Sequence, residues 1–309
     1  MTSYLLRRLI AAVGVIFGIS LITFVMIYLM PGDPARLYAG PRAPEATVQN
    51  IRQQWGLNDP LLTQYLRYVE RALHGDLGRS PRDGRAVLPA IIERLPATLQ
   101  LAIAGLAVEL ALGIPLGILA AARPGSWADA LATSGSLVAI SIPPFVLGVL
   151  LLYVFGFLIP IFPLGGYGTP LHLILPALTL GLGGSAWYAR LLRNNLLDEL
   201  GNDYIRTARS KGVHEWDIYF RHALRNAMLP VITLAGLDLA ILLGGVVVVE
   251  AVFGWPGIGQ QAWRAIRDQN IPIIMGTVLL SAICIVFINL IVDLLYLVFN
   301  PRIRLEGSL

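Results

Sequence analysis

"DYIRTARSKGVHEWDIYFRHALRNAMLP", residues 203–230, is the most polar stretch of an otherwise apolar chain. Long apolar runs flank it on both sides, so it reads as a charged connector between two greasy segments. The whole chain has 309 residues, 56% of them hydrophobic and 14% charged, whereas about a quarter of residues are charged in soluble domains. This is the composition of a membrane protein. A net charge of +4 would suit nucleic acid, but the basic residues are almost all arginines scattered between apolar runs, and nucleic-acid binding needs them on one face. They read instead as topology signals.

A helix needs roughly 20 apolar residues to cross the hydrocarbon core, because unpaired backbone groups in lipid cost several kcal/mol each. Six stretches qualify: 9–30, 97–121, 130–159, 171–189, 229–253 and 273–299. The first follows Arg7 and Arg8 as a signal peptide would, but it is longer than a secretory core and ends in "YLMPGDP", which offers no small-residue cleavage site. It is expected to stay as an anchor. Cytoplasmic loops are enriched in Arg and Lys. With the N-terminus inside, the inner segments hold Arg7, Arg8, Arg123, Arg190, Arg193, Arg206, Arg209, Lys211, Arg221, Arg225, Arg302 and Arg304, and the short outer loops only Arg264 and Arg267. The expected fold is an all-α membrane protein with six transmembrane helices and both termini cytoplasmic. Its parts are an N-terminal span (1–30), an extracytoplasmic loop with short helices (31–96), a five-helix core (97–300) and a cytoplasmic tail (301–309). The segment 190–228 is its longest cytoplasmic piece.

Within 31–96, "DPLLTQYLRYVERALHG" (59–75) offers Asp59 as N-cap, Pro60 at the first helical position and Gly75 as terminator. Leu61, Tyr65, Val69 and Leu73 form one stripe, with Leu62 and Leu66 beside it. Two readings stay open: a helix packed on the membrane face or on its own loop, and a docking surface for an extracytoplasmic partner. The spans themselves are rich in glycine and proline, as in "GIPLG" (113–117), "SIPPF" (141–145), "GLGG" (181–184) and Gly244 with Gly245. Small residues allow close helix packing and prolines free carbonyls; so many breaks favour a moving, cavity-forming bundle over a rigid one. Three acids lie inside spans. Asp293 is expected to pair with Arg302 or Arg304, while Glu109 and Asp238 suit either a hydrogen bond to a neighbouring helix or a place along a translocation path.

Several chemistries are excluded or unsupported. The only lysine, Lys211, is followed by Gly212, so the chain lacks the Gly-Lys-Ser/Thr of a P-loop and cannot be its own P-loop ATPase. There is no Gly-x-Ser-x-Gly elbow and no His-Glu-x-x-His. His74 and His172 fall outside, His214 and His222 inside, with no metal cluster, and the single Cys284 is a small packing residue. No catalytic or metal-binding residue is assigned, although Ser185 and the membrane acids leave an intramembrane hydrolase formally open.

Read physically, 190–228 makes a helix, a turn and a second helix. Asn202 or Asp203 caps "YIRTARSK", Gly212 ends it, and a second helix starts near Glu215 and runs through Pro230 into the next span. Small Thr207 and Ala208 beside Tyr204 and Ile205, among Arg206, Arg209 and Lys211, suit a groove on a soluble partner. They equally suit an amphipathic helix on anionic lipid.

The same segment resembles the cytoplasmic coupling motif of binding-protein-dependent ABC import permeases, Glu-Ala-Ala, three residues, then Gly. Here Arg206, Thr207 and Ala208 hold the first three places and Gly212 the last. Arg206 replaces the Glu, and the closing Pro is displaced to Pro230, as in the dipeptide/oligopeptide branch. "PGDPA", "HGDLGRS", "ERLPATLQLA", "LGIPLG", "SIPPF", "HLILPALTLG" and "VVVVEAVFGWPGIG" extend the resemblance to that branch's B-type permease over nearly the whole chain. The resemblance implies a type I ABC importer transmembrane domain in the cytoplasmic (inner) membrane of a prokaryote. It implies pairing with a homologous second permease, two ATPase subunits or domains carrying ATP and Mg, and an extracytoplasmic substrate-binding protein. Tyr204, Ile205, Arg206, Thr207, Ala208, Arg209, Lys211 and Gly212 would be the ATPase-coupling residues. The implied cargo is di- or oligopeptides; nickel chelates, glutathione or another small solute are the alternative, and a stand-alone channel or hydrolase is a different class.

Overall fold

The computed structural model describes residues 2–29, 33–40 and 42–299, and these are almost entirely helical. In chain order the helices are α1 (Thr2–Leu29), α2 (Pro34–Ala39), α3 (Glu45–Gln54), α4 (Leu61–Leu73), α5 (Val87–Ile92), α6 (Leu95–Ala122), α7 (Trp127–Ala130), α8 (Ser136–Ser141) and α9 (Pro144–Leu152). They continue with α10 (Pro170–Leu200), α11 (Asp203–Ser210), α12 (Glu215–Asp217), α13 (Leu224–Gly245), α14 (Val247–Phe253), α15 (Ile258–Arg267) and α16 (Ile271–Phe299). Three wider π-helical segments, Leu131–Gly135, Tyr153–Leu158 and Ile218–Ala223, are spliced between them. Arg302, Arg304 and the 301–309 tail, with Met30 at the end of the first expected span, lie outside the described residues.

Four described stretches are long and apolar enough to cross a membrane: Leu6–Met26, Val87–Ala122, Glu215–Gly244 and Ile271–Asp293. A fifth arises if Trp127–Ala139 and Pro144–Leu158 count as one span. Three of the six expected stretches are less regular than straight apolar helices. The stretch 130–159 is no straight helix, because the chain bends by 100° between its two halves. The break is at Ile142, which is extended at φ −90°, ψ 115°, as a residue ahead of proline prefers. The stretch 171–189 lies in α10, whose 31 residues are ample in length, but it is not among the helices apolar enough to qualify. Its burial explains that: Leu175, Ala177, Thr179, Ser185, Tyr188, Ala189 and Leu192 are all enclosed by protein, so the helix has little lipid to satisfy. The stretch 229–253 breaks after α13, at Val246, before α14 begins.

The chain forms two compact units, Met1–Thr98 with Pro256–Val286, and Leu99–Trp255 with Phe287–Leu309. In the first, Val87, Ile91, Ile258, Ala265 and Ile273 make the core. Buried polar pairs tie distant segments together: Asn270 Nδ2 donates to Ser80 Oγ at 2.9 Å, and the Ile258 N–H donates to Thr98 Oγ1 at 2.8 Å. Arg82 pairs with Asp268. α4 ends at Gly75 as expected, with φ +78° there. Asp59 does not cap it, however: Pro60 occupies the cap position and Asp59 turns to Arg67 at 2.7 Å.

In the second unit α10 is central and lies close against α6. A Cβ on Gly113 would stand 2.7 Å from the Ser185 carbonyl oxygen, and one on Gly117 2.8 Å from that of Ala189. From the other side, Cβ atoms on Gly181 and Gly184 would run into Val108 and the Glu109 carboxyl. The glycines of "GIPLG" and "GLGG" are thus packing glycines, the close approach that small residues allow. The backbones approach because side chains are missing on both faces.

Candidate functional site: a tethered polar hairpin and an intramembrane acid pair

α11 is eight residues long and ends as its sequence suggests. The Gly212 N–H donates to the Arg209 carbonyl at 3.0 Å, and the Val213 N–H to the Ala208 carbonyl at 3.2 Å. With Gly212 at φ +74°, this is a Schellman turn, satisfying carbonyls that the helix end would otherwise leave unpaired. Asn202 takes the N-cap position but makes no capping bond; its amide donates to Glu199 Oε2 instead, at 3.2 Å. A second helix then begins at Glu215, with His214 Nδ1 accepting from the Trp216 N–H at 3.3 Å. It runs through the π segment and Pro230 into α13, as read from sequence.

The helix has two unlike faces. Ile205 is fully buried among Leu192, Leu196, Ile218, Ala223, Ala227 and Val231, and Ala208 and Val213 pack on the same cluster. Arg206, Thr207, Ser210 and Lys211 are exposed. The expectation that Ile205 and Ala208 face a partner is therefore corrected: at three residues' spacing both point inward, and the surface presented outward is polar and cationic. Tyr204 and Arg209 flank these faces and tether them. The Tyr204 hydroxyl donates to Glu199 Oε2 at 2.5 Å and accepts from Asn226 Nδ2 at 3.2 Å; burial, then the Glu199 hydrogen bond, hold its phenol above the usual tyrosine range. Arg209 pairs with Glu215 at 2.9 Å across the turn. Among the described residues Lys211 has no ion-pair partner.

Sequence reading missed one member of this surface. Trp216 and Phe220 stack at 4.9 Å with 10° between their planes, and both are exposed. Their spacing of four residues on a helix was the available signal. It also missed an ion pair between helices, where Arg193 on α10 grips Asp129 on α7 through Nε at 2.5 Å and Nη2 at 3.1 Å. Asp129 also accepts from the Gly125 N–H at 2.8 Å, fixing the α6–α7 turn.

Glu109 and Asp238, treated separately in sequence, come together. Glu109 is buried in the space left by Gly184 and lies within hydrogen-bond reach of Asp238. Tyr188, one turn beyond Gly184, donates its hydroxyl to Asp238 Oδ2 at 3.0 Å. The cluster links α6, α10 and α13, and Glu109 Oε2 has no further partner among the described residues. Among those residues no group of three or more His, Cys, Asp or Glu is arranged to hold a metal ion.

A helical membrane bundle thus carries a polar, cation-bearing hairpin anchored on its central helix, and the sequence holds no P-loop. The chain belongs to the family of binding-protein-dependent transport system inner membrane components, which it matches over residues 113–305; the corresponding N-terminal family matches residues 1–102. It is 41% identical over 304 residues to the glutathione transport system permease protein GsiC of Escherichia coli strain CFT073, covering 98% of this chain and 99% of the relative. GsiC of Escherichia coli strain K12 and of Shigella dysenteriae serotype 1 are each 40% identical over the same shares. Among solved structures, chains of the MetNI methionine ABC transporter in inward-facing conformations share the fold. One has a TM-score of 0.57 at 22% identity, covering 69% of this chain and 98% of that one; a second crystal form gives 0.52 at 20% identity, covering 68% and 96%. The chain is thus a multi-pass inner-membrane permease subunit with the ABC type I importer permease fold.

Proposed function

We propose that this permease carries short peptides inward, with glutathione, a tripeptide, the first candidate cargo, and that α11 couples the bundle to ATP hydrolysis on partner subunits. The observation that carries the cargo reading is identity of 40–41% along the whole chain to permeases named for glutathione transport. In this reading the chain pairs with a second permease and receives solute from an extracytoplasmic binding protein. Two ATPase subunits or domains supply ATP and Mg. Six crossings with both termini cytoplasmic complete the scheme, α10 being the crossing that protein rather than lipid surrounds.

α11 is suited to coupling because its inner face is anchored while its outer face is free. Ile205 and Ala208 fix it to the core of α10 and α13, so a push on Arg206, Thr207, Ser210 or Lys211 is delivered to the bundle. Glu109 and Asp238 serve to hold helices in register with Tyr188 and do not contact solute, which the burial of Glu109 and the Tyr188–Asp238 hydrogen bond support.

The test is uptake of labelled glutathione by cells with and without this subunit, with dipeptides, longer peptides and chelated nickel as competitors. Glutathione uptake that depends on the subunit and yields only to excess glutathione supports the reading. Uptake competed fully by dipeptides would shift the cargo to dipeptides. ATP-independent flux through the reconstituted chain alone would overturn the importer reading itself.

A further inference from the structure

α4 is a helix of the 31–96 segment with three longitudinal stripes, and the structure accounts for two of them. The tyrosine stripe packs on α1: Tyr65 Oη is 2.8 Å from Ser20 Oγ, and its ring meets Phe17 and Phe24 edge-on at 5.9 and 5.3 Å. Tyr68 lies along Phe24 at 6.4 Å, and burial there pushes its phenol up to about 12. The polar stripe of Thr63, Glu70, Arg71 and His74 is exposed. Between them run Leu62, Leu66 and Leu73, at four- and seven-residue steps that keep them on one face, and they are 69%, 58% and 81% exposed. In water such a row is unfavourable, since apolar surface left uncovered forgoes the gain of burial.

What covers this row follows from where α4 is pinned. Phe17, Ser20 and Phe24 all belong to the apolar stretch Leu6–Met26. α1 runs on to Leu29, so Phe24 lies five residues and Ser20 nine residues from its C-terminal end, about 8 and 14 Å of helix rise. Amphipathic helices that lie in a membrane surface sink their apolar face about 5–10 Å into the boundary between headgroups and acyl chains. The contacts of Tyr65 and Tyr68 with Phe24, and of Tyr65 with Ser20, therefore hold α4 at that depth or somewhat below it. α1 itself leaves Val13, Phe17, Leu21 and Val25 uncovered by protein.

We infer that α4 is an interfacial membrane helix whose leucine row, Leu62, Leu66 and Leu73, contacts phospholipid acyl chains on the side of the membrane where residues 31–96 lie. The tyrosine face clamps it to the first span, and the polar stripe looks toward headgroups and water. Such a helix fixes the depth and tilt of α1 from outside the bundle.

Spin labels decide it. In a Cys284→Ser background, Leu62→Cys, Leu66→Cys and Leu73→Cys are labelled with a nitroxide, with Thr63→Cys and Glu70→Cys for comparison. The full-length chain is reconstituted with its partner subunits into phosphatidylethanolamine and phosphatidylglycerol vesicles. Collision with oxygen should exceed collision with an aqueous nickel chelate several-fold at the three leucine positions, and the ratio should reverse at positions 63 and 70. Nickel accessibility at the leucines equal to that at position 70 would overturn the inference in favour of a solvated face. Exclusion of both reagents there would overturn it in favour of a protein partner. Since these positions are exposed, the labels leave the fold intact, and a wild-type melting profile checks that.

Discussion

An added Cβ at Gly113 would stand 2.7 Å from a backbone carbonyl oxygen of the neighbouring helix, whereas at Gly212 it would meet nothing within 4 Å and the constraint is a φ of +74°. The first glycine is required by space, the second by angle. Between α6 and α10 the glycines remove freedom: two backbones are locked against each other, with Glu109 filling the place opposite Gly184. At the end of α11 the glycine permits a tight reversal with open space beside its own α-carbon, while Ile205, Ala208 and Val213 anchor the hairpin on the bundle. Transport by rocking needs both, a seam that does not yield and a handle that does not deform the seam when pulled.

Substitutions in the two regions should therefore fail differently. The largest effect is expected from Ile205→Ala, which removes the only fully buried side chain of α11; cavity formation at such sites costs about 2–5 kcal/mol. The hairpin should detach while the bundle remains, seen as faster tryptic cleavage at Arg206 or Lys211 and weaker co-purification with the ATPase partners. Unchanged cleavage would mean that the hairpin is not held by this anchor. Next comes Gly113→Ala, where overpacking against backbone should cost about 1–3 kcal/mol. A lower melting temperature in detergent is expected, against no change for Gly183→Ala, whose Cβ meets nothing within 4 Å. Equal melting of both variants would break the distinction between the seam and its surroundings.

Gly212→Val is expected to cost about 1–2 kcal/mol, because a left-handed residue with a Cβ clashes with its own carbonyl. It should uncouple ATP hydrolysis from uptake without lowering the melting temperature. Gly212→Asn, which tolerates that conformation, should keep coupling, and loss of coupling in both would point to space and not angle. No clash of the new side chain with its surroundings adds to this, since the site is open. The smallest effect is that of Arg209→Ala. Its partner Glu215 is more than half exposed, and such pairs contribute about 0.2–1 kcal/mol. A slight loss in ATPase co-purification is expected, and a large one would show that Arg209 touches the partner directly.

Much of this was legible in residues whose meaning is local. Gly75, Gly212 and Pro60 mark helix ends because φ and the missing proline donor act within one residue, and composition alone places the chain in a membrane. What was not legible depends on contacts across the chain. Nothing near Glu109 announces Asp238, 129 positions later, because the two meet only once α6 and α13 have packed around Tyr188. Hydropathy likewise undervalues α10, since it assumes that every crossing faces lipid. The 100° bend was half legible: "SIPPF" announced a break, but proline statistics do not tell a kink from a reversal. Of the coupling residues, identity was readable and orientation was not, because the inward turn of Ile205 and Ala208 is set by Leu192, Leu196 and Val231 on other helices.

The π segment at Ile218–Ala223 has a further consequence, for how chain length steers this protein. A π turn holds one residue more than the α-helical ladder around it, so it behaves like an insertion absorbed without breaking the helix. Deleting any one residue there would let the ladder close into plain α-helix and swing everything before it, hairpin included, by about 100° around the axis of α13. In descendants of a common ancestor, a single-codon gap at this place would redirect the hairpin without altering one of its residues.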